Sequence, residues 1–357
     1  VNRAQLEAAF SGRRVLVTGH TGFKGAWSVA LLDALGAEVF GLALPPDAPG
    51  SLFERLRVPD RCGSVFGDLR DAGLVRDVVR DLAPEVVLHL AAQSLVRRSY
   101  RDPLTTWSTN VMGTAHLLEA IRAVDRPCRV VVVTTDKVYA ESDVAHPEAD
   151  PLGGADPYAA SKAATELLAA SYRHSWFDAG GAHGRRLATA RAGNVIGAGD
   201  QADERLFPDI ARAVAAERTL ILRSPHAVRP WQHVLEPIVG YLELAAALET
   251  RPEVASDAFN FGPDPADALP VEELVRRALA WWGQGTSRSE PDPGAPHEAS
   301  HLRIDSTRAT ERLGWRPRLD VDVAIRWTVD GYRASDGDLP GVVADQIDAY
   351  LGLDGRP

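Results

Sequence analysis

The sequence predicts an α/β protein: a doubly wound parallel sheet with a smaller mixed α/β lobe at its C-terminal side. Two observations point there. Short, continuous apolar runs alternate with amphipathic helical stretches through the first 197 residues, the pattern of strands that helices cover on both faces. A glycine-rich turn, GHTGFKG at 19–25, separates the first such strand from the first such helix.

The elements follow in order. RRVLVT (13–18) reads as a buried strand, AWSVALLDALG (26–36) as a helix stopped at Gly36, and AEVFGLAL (37–44) as the next strand. Together they make a βαβ unit. SVFGDL (64–69) looks like a strand end and LVRDVVRDL (74–82) a helix. EVVLHLAA (85–92), RVVVVTT (129–135) and LATARAGNVIG (187–197) read as strands. TNVMGTAHLLEAIRAV (109–124) and PYAASKAATELLAASYRHSW (157–176) read as helices. Beyond 197 the rhythm changes. Helices are predicted over 207–217, 236–248 and 271–283, with a strand, a turn and a strand over 219–234. Residues 283–300 are rich in turn formers, and the end of the chain suggests two short helices around a Gly-Trp turn. We expect residues 1–196, with about 231–262, to form a Rossmann-type nucleotide-binding domain, and 197–357 a smaller substrate lobe.

Composition narrows the function. The formal net charge is -10, which argues against nucleic acid or an anionic membrane as the main partner. Two cysteines 66 positions apart leave no disulfide framework or cysteine-based zinc site, and fit a reducing compartment. No apolar run approaches 18 residues, and residues 1–12 carry no apolar leader segment, so a cytoplasmic location is expected. The ten histidines show no HExxH-type spacing, and no metal is expected. Of 39 basic residues only Lys24, Lys137 and Lys162 are lysines. A lysine in an arginine-rich chain suggests a task arginine cannot do, such as releasing a proton.

Gly19, Gly22 and Gly25 are spaced for a tight turn and close approach to a pyrophosphate, whose charge would face a helix N-terminus. Thr21, Phe23 and Lys24 fall in the same loop. Asp68, ending the third strand beside Leu69, is a candidate for an adenine amino group. Leu90, Ala91 and Ala92 end the fourth strand at the same sheet edge. The end of the second strand, Gly41–Leu44, has neither the acid that NAD ribose hydroxyls favour nor an arginine for NADP, so the two stay open.

Tyr158 and Lys162 form Y-x-x-x-K, which places both on one helix face. A phenol is a poor base at neutral pH unless a cation stabilises its anion. Thr135, Asp136 and Lys137 arrive at the carboxyl end of the fifth strand, where open α/β sheets bind ligands.

These features resemble the extended short-chain dehydrogenase/reductase family of nucleotide-sugar enzymes. TGHTGFKG, HLAAQSLVRRSY, TTDK, DPLGGADPYAASK, RAGNVIGAGD, RPWQHVLEPIVGYLELA, HEASHLRID and LGWRP are similar to its CDP-glucose 4,6-dehydratase group over nearly the whole chain. The resemblance implies tightly bound NAD and a conversion of CDP-D-glucose to CDP-4-dehydro-6-deoxy-D-glucose plus water. Tyr158, Thr135 and Lys162 would serve hydride transfer, and Asp136 and Lys137 the elimination. Asn194 matches a substrate-binding asparagine. Arg205 and Arg229 suit a sugar diphosphate, with Gln93, Ser94 and His233 as further substrate candidates. A homodimer through the helices at 109–124 and 157–176 is also implied. The chain departs from the group in a shortened loop, VYAESDVAHPEA, and in the missing acid after the second strand. A 4-epimerase would need the same Tyr158 and Lys162 without an acid–base pair at 136–137. A catalytically silent nucleotide-binding protein would not need Thr135, Tyr158 and Lys162 intact.

Overall fold

The computed structural model describes residues 2–142, 144–177, 184–203, 205–290, 303–334 and 337–353. Its main sheet contains β1 (Arg14–Thr18), β2 (Glu38–Ala43), β3 (Gly63–Phe66), β4 (Val86–His89), β5 (Cys128–Val133) and β6 (Arg185–Ala192). Four short strands follow: β7 (Val195–Ile196), β8 (Leu220–Leu222), β9 (Val228–Pro230) and β10 (Gln232–His233). The seventh strand of the main sheet is β11 (Ala258–Phe261), and the order is β11-β6-β5-β4-β1-β2-β3. Every pairing in that sheet is parallel. The chain reverses its direction of growth between β1 and β4, so a ligand crevice opens beyond the carboxyl ends of those strands.

Alternation along the strands sends side chains to two cores. Val15 and Val17 of β1 face one core with Trp27, Leu31 and Phe259, while Leu16 faces the other with Val79, Leu117 and Leu187. The helices begin where their caps dictate. Asp71 accepts from the N–H groups of Gly73 and Leu74 at 2.9 and 3.0 Å to start the helix Ala72–Leu82. Asp156 accepts from Ala159 N–H at 2.9 Å, and Pro157 follows at the first helical position, which starts Pro157–Trp176. A third core gathers Phe207, Ile210, Trp231, Leu274 and Ile325 under the crevice's far wall.

The C-terminal half follows the sequence reading in outline, and the structure adds helices near both ends of the chain. Residues 219–234 form a strand, a turn and two short strands, as expected, and these pair with other segments rather than with one another. β8 pairs with β13 (Ser287–Ser289), β9 with β12 (Ala268–Pro270) and β10 with β7. Pro230 lacks an amide donor, and each strand is too short to support a ladder of its own. Two helical segments flank Gly314-Trp315 as expected, the wide-turned Ala309–Leu313 and the longer helix Val321–Arg333. The helices Arg3–Phe10 and Leu339–Leu351 were not foreseen; their buried residues, Phe10, Leu339, Val343 and Ile347, join the core around Trp27. Of the stretch 283–300, residues from 291 onward lie outside the described residues.

Candidate active site

The crevice is a cavity of about 1870 Å³, larger than a single small-molecule site and roomy enough for two ligands side by side. The glycine turn forms one wall. Gly19 has φ +75°, and a Cβ there would come within 2.8 Å of the Ala91 backbone; one on Gly25 would come within 2.0 Å of the Gly19 carbonyl oxygen. Only glycine lets the loop lie flat against β4 and the helix Phe23–Ala34. That helix opens at Gly22 without a side-chain cap, so its first-turn N–H groups remain available to an anion.

Thr21, Gly22, Phe23, Lys24, Leu69, Leu90, Ala91 and Ala92 all line the cavity, as does Asp68. The Asp68 carboxylate is already engaged by Arg70, at 2.9 Å from Nε and 2.6 Å from Nη2, which holds it below the usual carboxylate range. Lys24 donates to the Tyr241 hydroxyl at 3.3 Å, and burial pushes its ammonium down to about 7. Asp47, exposed on the rim three residues past Leu44, supplies a carboxylate near the end of β2. Pro45-Pro46 carries it beyond the strand end, Gly41–Leu44, which has no acid of its own.

At the opposite wall β5 ends in the turn 134–137. The Thr135 hydroxyl donates to Asp136 Oδ1 at 3.0 Å. Lys137 Nζ stands 3.8 Å from the same oxygen, with its side chain 30% exposed, whereas the Asp136 side chain is 1% exposed. Asp136 Oδ2 is buried and has no hydrogen-bond partner. An orphaned carboxylate oxygen at a cavity wall is an unmet acceptor, or a donor once protonated. Tyr158 is pushed up to about 12 by burial, opposed by a hydrogen bond with Thr135. Lys162 lies one turn on and donates to the Val133 carbonyl at 2.9 Å; burial pushes it down to about 8. Its hydrogen bond goes to the backbone, so the direct relief of Tyr158 here comes from Thr135.

The substrate candidates divide. Asn194, Arg205 and Arg229 line the cavity. Arg205 donates to Asp200 at 3.1 Å and to Ser94 Oγ at 3.3 Å, which brings 94 and 205 together. Gln93 also borders the cavity, but its amide nitrogen donates to Leu95 O and Thr106 Oγ1, and its oxygen accepts from Leu95 N–H. It braces the loop instead of presenting a free amide. His233 does not reach the site: it is fully buried, its ring edge-on to Trp27 and Trp327 at 5.4 and 5.5 Å, and burial pushes it down to about 3. Gln232 and His233 are packing there, whereas Arg229 and Trp231 of the same RPWQHV segment line the cavity. Arg97, Arg98 and Arg101 line the cavity from the helix Val96–Arg101 and were not singled out beforehand; the RRSYR run was their signal.

The shortened loop closes on itself. The Tyr139 and His146 rings stack at 4.7 Å, and His146 Nδ1 lies 2.8 Å from Asp150. His146 pairs through the backbone with the segment 303–305, at 3.1 Å to Arg303 O and 2.9 Å from Asp305 N–H.

Residues 16–328 match the sequence profile of the family described as GDP-mannose 4,6 dehydratase. The chain belongs to that family. A CDP-glucose 4,6-dehydratase of Salmonella typhimurium is 45% identical over 91% of this chain and 92% of its own. A dTDP-glucose 4,6-dehydratase of Streptomyces antibioticus is 31% identical over 89% of this chain and 92% of its own. Among solved structures, the dTDP-glucose 4,6-dehydratase DesIV of Streptomyces venezuelae, a double mutant with NAD bound, superposes with a TM-score of 0.76. It is 29% identical over 92% of this chain and 99% of that one. The likeness to this family spans the glycine turn, the 134–137 turn and the Tyr158 helix alike.

Proposed function

We propose that this protein is a nucleotide-sugar 4,6-dehydratase that converts CDP-D-glucose to CDP-4-dehydro-6-deoxy-D-glucose and water, with NAD held in the glycine-lined wall. The observation that carries the reading is the turn itself: a buried acid and an amine 3.8 Å apart, beside the Thr135–Tyr158 pair, at a sheet edge with room for two ligands. The 45% identity to a CDP-glucose 4,6-dehydratase supports the nucleotide.

Bound NAD supplies the oxidation at C4 and the later reduction at C6. Tyr158 accepts the C4 hydroxyl proton, with Thr135 bonded to the same oxygen. The new ketone acidifies C5–H, and Lys137 removes that proton while Asp136 protonates the departing C6 hydroxyl. The elimination needs a proton delivered from Asp136 and an amine lone pair at Lys137. Arginine could not supply that lone pair. Asn194 orients the hexose, and Arg205 and Arg229 bind the diphosphate. Asp47, the only acid of the rim segment after β2, favours the free ribose hydroxyls of NAD over the phosphate of NADP.

The test is a panel of CDP-, dTDP-, GDP- and UDP-glucose, read by loss of water in mass spectrometry and by solvent deuterium at C5. CDP-glucose should turn over fastest. Lys137→Ala should keep bound NAD and lose about 10²–10⁴-fold in kcat. Dehydration by that variant at the parent rate would reassign the base.

Two further readings belong here. Leu104, Trp107, Met112 and Leu167 are exposed by 81, 40, 50 and 63% on the helical segments at 103–112 and 157–176. Exposed large apolar groups on these adjacent helical segments suit a second copy of the chain, so the protein is a homodimer. Light scattering should show a dimer for the parent and a monomer for Leu104→Arg/Leu167→Glu. A cytoplasmic location is supported by the free, buried Cys62 and Cys128. No helix of the described residues is long and apolar enough to cross a membrane. Among the described residues, those up to 196 with about 231–262 form the nucleotide-binding unit, the segments 309–319 and Leu339–Leu351 pack onto its Trp27 core, and the core around Phe207 and Leu274 belongs to the substrate lobe.

A further inference from the structure

Tyr158, Lys162 and Glu166 lie at successive turns of one helix and are all buried. The reaction uses the first two and leaves the third unexplained. A buried carboxylate is unfavourable unless its oxygens are satisfied. One oxygen of Glu166 accepts a short hydrogen bond from Thr134 Oγ1, and the other accepts from Thr189 Oγ1 at 2.7 Å and Arg191 Nη2 at 2.9 Å. Burial pushes Glu166 up, but Arg191 and the hydroxyls bring it below the usual range, so it is a fixed negative charge.

Those partners are not scattered. Thr134 immediately precedes the catalytic turn. Arg191 Nη1 donates to the Tyr139 hydroxyl at 2.8 Å, its guanidinium lies 5.0 Å from that ring, and Tyr139 comes two residues after Lys137. Tyr139 donates onward to Asn260 at 2.7 Å. The ion pair therefore touches the chain on both sides of residues 135–137, and it is itself built into the helix that carries Tyr158 and Lys162.

We propose that Glu166 and Arg191 form a buried clamp that positions the acid–base turn against the Tyr158–Lys162 helix, Glu166 holding its start through Thr134 and Arg191 its end through Tyr139. Neither reaches the sugar; both are positioning residues. The inference rests on the dehydratase reading for its kinetic arm only. Reacting groups displaced by about an ångström lose about 10²-fold in rate, and that is the effect expected when one end of the clamp opens.

Thr134→Val removes the hydroxyl that Glu166 grips, and Thr134→Ser restores it. The Val variant should keep its NAD content and fold and hold KM for the nucleotide sugar within about threefold, yet lose about 10²-fold in kcat. The Ser variant should recover most of that rate. Tyr139→Phe, which opens the other end, should likewise lower kcat about 10²-fold by the same displacement. A substrate-free readout comes from the lysine content. With three lysines in the chain, carbon-13 labelling of lysine gives three resolvable side-chain signals, assigned by single Lys→Arg changes. Thr134→Val should move the Lys137 signal and Thr134→Ser should leave it in place. Parent-like kcat together with an unmoved Lys137 signal in Thr134→Val would overturn the clamp. If the parent dehydrates none of the four nucleotide sugars, the dehydratase reading fails, while the Lys137 signal still decides the clamp.

Discussion

Glu166 and Glu236 sit in helices that cover opposite faces of the main sheet, and they are 3% and 1% exposed. Each accepts three hydrogen bonds. Glu236 takes them from Arg318 N–H at 2.8 Å, Leu319 N–H at 2.7 Å and the Tyr350 hydroxyl at 2.7 Å. Yet the two are displaced in opposite directions: Glu166 is held below the usual carboxylate range, and burial pushes Glu236 up to about 7. The count of hydrogen bonds does not separate them. The donors do. Glu166 accepts a hydrogen bond from a guanidinium, whereas the Arg318 side chain donates to Glu243 at 3.2 Å and lowers Glu236 through space alone, its backbone N–H making the direct bond. Three neutral dipoles do not replace the hydration of a charge, and one well-placed cation nearly does. The face that carries the chemistry keeps its buried acid ionised. The face that anchors the C-terminal helix lets its acid take a proton.

The largest effect expected from this contrast is on stability. Arg191→Met strands the Glu166 charge in the interior and should cost about 3–5 kcal/mol. Arg318→Met should cost about 1–3 kcal/mol, because Glu236 and Glu243, both pushed up to about 7 by burial, can become neutral. Urea denaturation at neutral pH measures both. Equal losses would mean that contact with a cation is not what distinguishes the two sites.

A second effect has a sign that differs between the faces. Glu236 binds its proton more tightly in the folded protein than in the unfolded chain. Its contribution is fully present below the unfolded value near 4.5 and is lost as pH rises toward about 7. The loss amounts to about 3 kcal/mol. Glu166 works in reverse: its contribution is present above the unfolded value and lost as pH falls through its lowered folded one. Stability measured from pH 5 to 8 should therefore decline in the parent and decline less in Glu236→Gln. An unchanged slope in that variant would remove Glu236 from the account.

How much of this could be read in the sequence depended on distance along the chain. The Tyr158–Lys162 pair, the 134–137 turn and the glycine loop were legible because each is a local spacing with a local consequence: four residues on a helix, or a strand running into a turn. Glu166 and Arg191 are 25 positions apart and meet only once β6 lies beside β5, so no spacing announces them. His233 misled for a related reason. A histidine beside Gln232 in RPWQHV looks available, and only the packing of Trp27 and Trp327 shows that it is not. Asp47 lay past two prolines, beyond the strand end where the acid was sought. The helices Arg3–Phe10 and Leu339–Leu351 depend on the Trp27 core to be stable, and short helices without such a partner carry little signal.

The smallest effect concerns a pair with no burial. Arg57 Nε lies 2.8 Å from Asp60 Oδ2, with the two side chains 71% and 57% exposed. If contact with a cation were enough, this pair would rival Arg191–Glu166. In water the gain is screened and offset by ordering two side chains, so it contributes roughly 0–1 kcal/mol. Arg57 also sits at φ 54°, where a side chain is strained by roughly 1 kcal/mol and glycine is not. Arg57→Gly thus removes a weak attraction and a comparable strain together, while giving the unfolded chain more freedom. The expected net change is within about 0.5 kcal/mol, read as an unaltered urea midpoint. A loss of several kcal/mol would show that proximity alone stabilises an ion pair in this protein, and that the absence of water around Glu166 is not what makes its guanidinium partner matter.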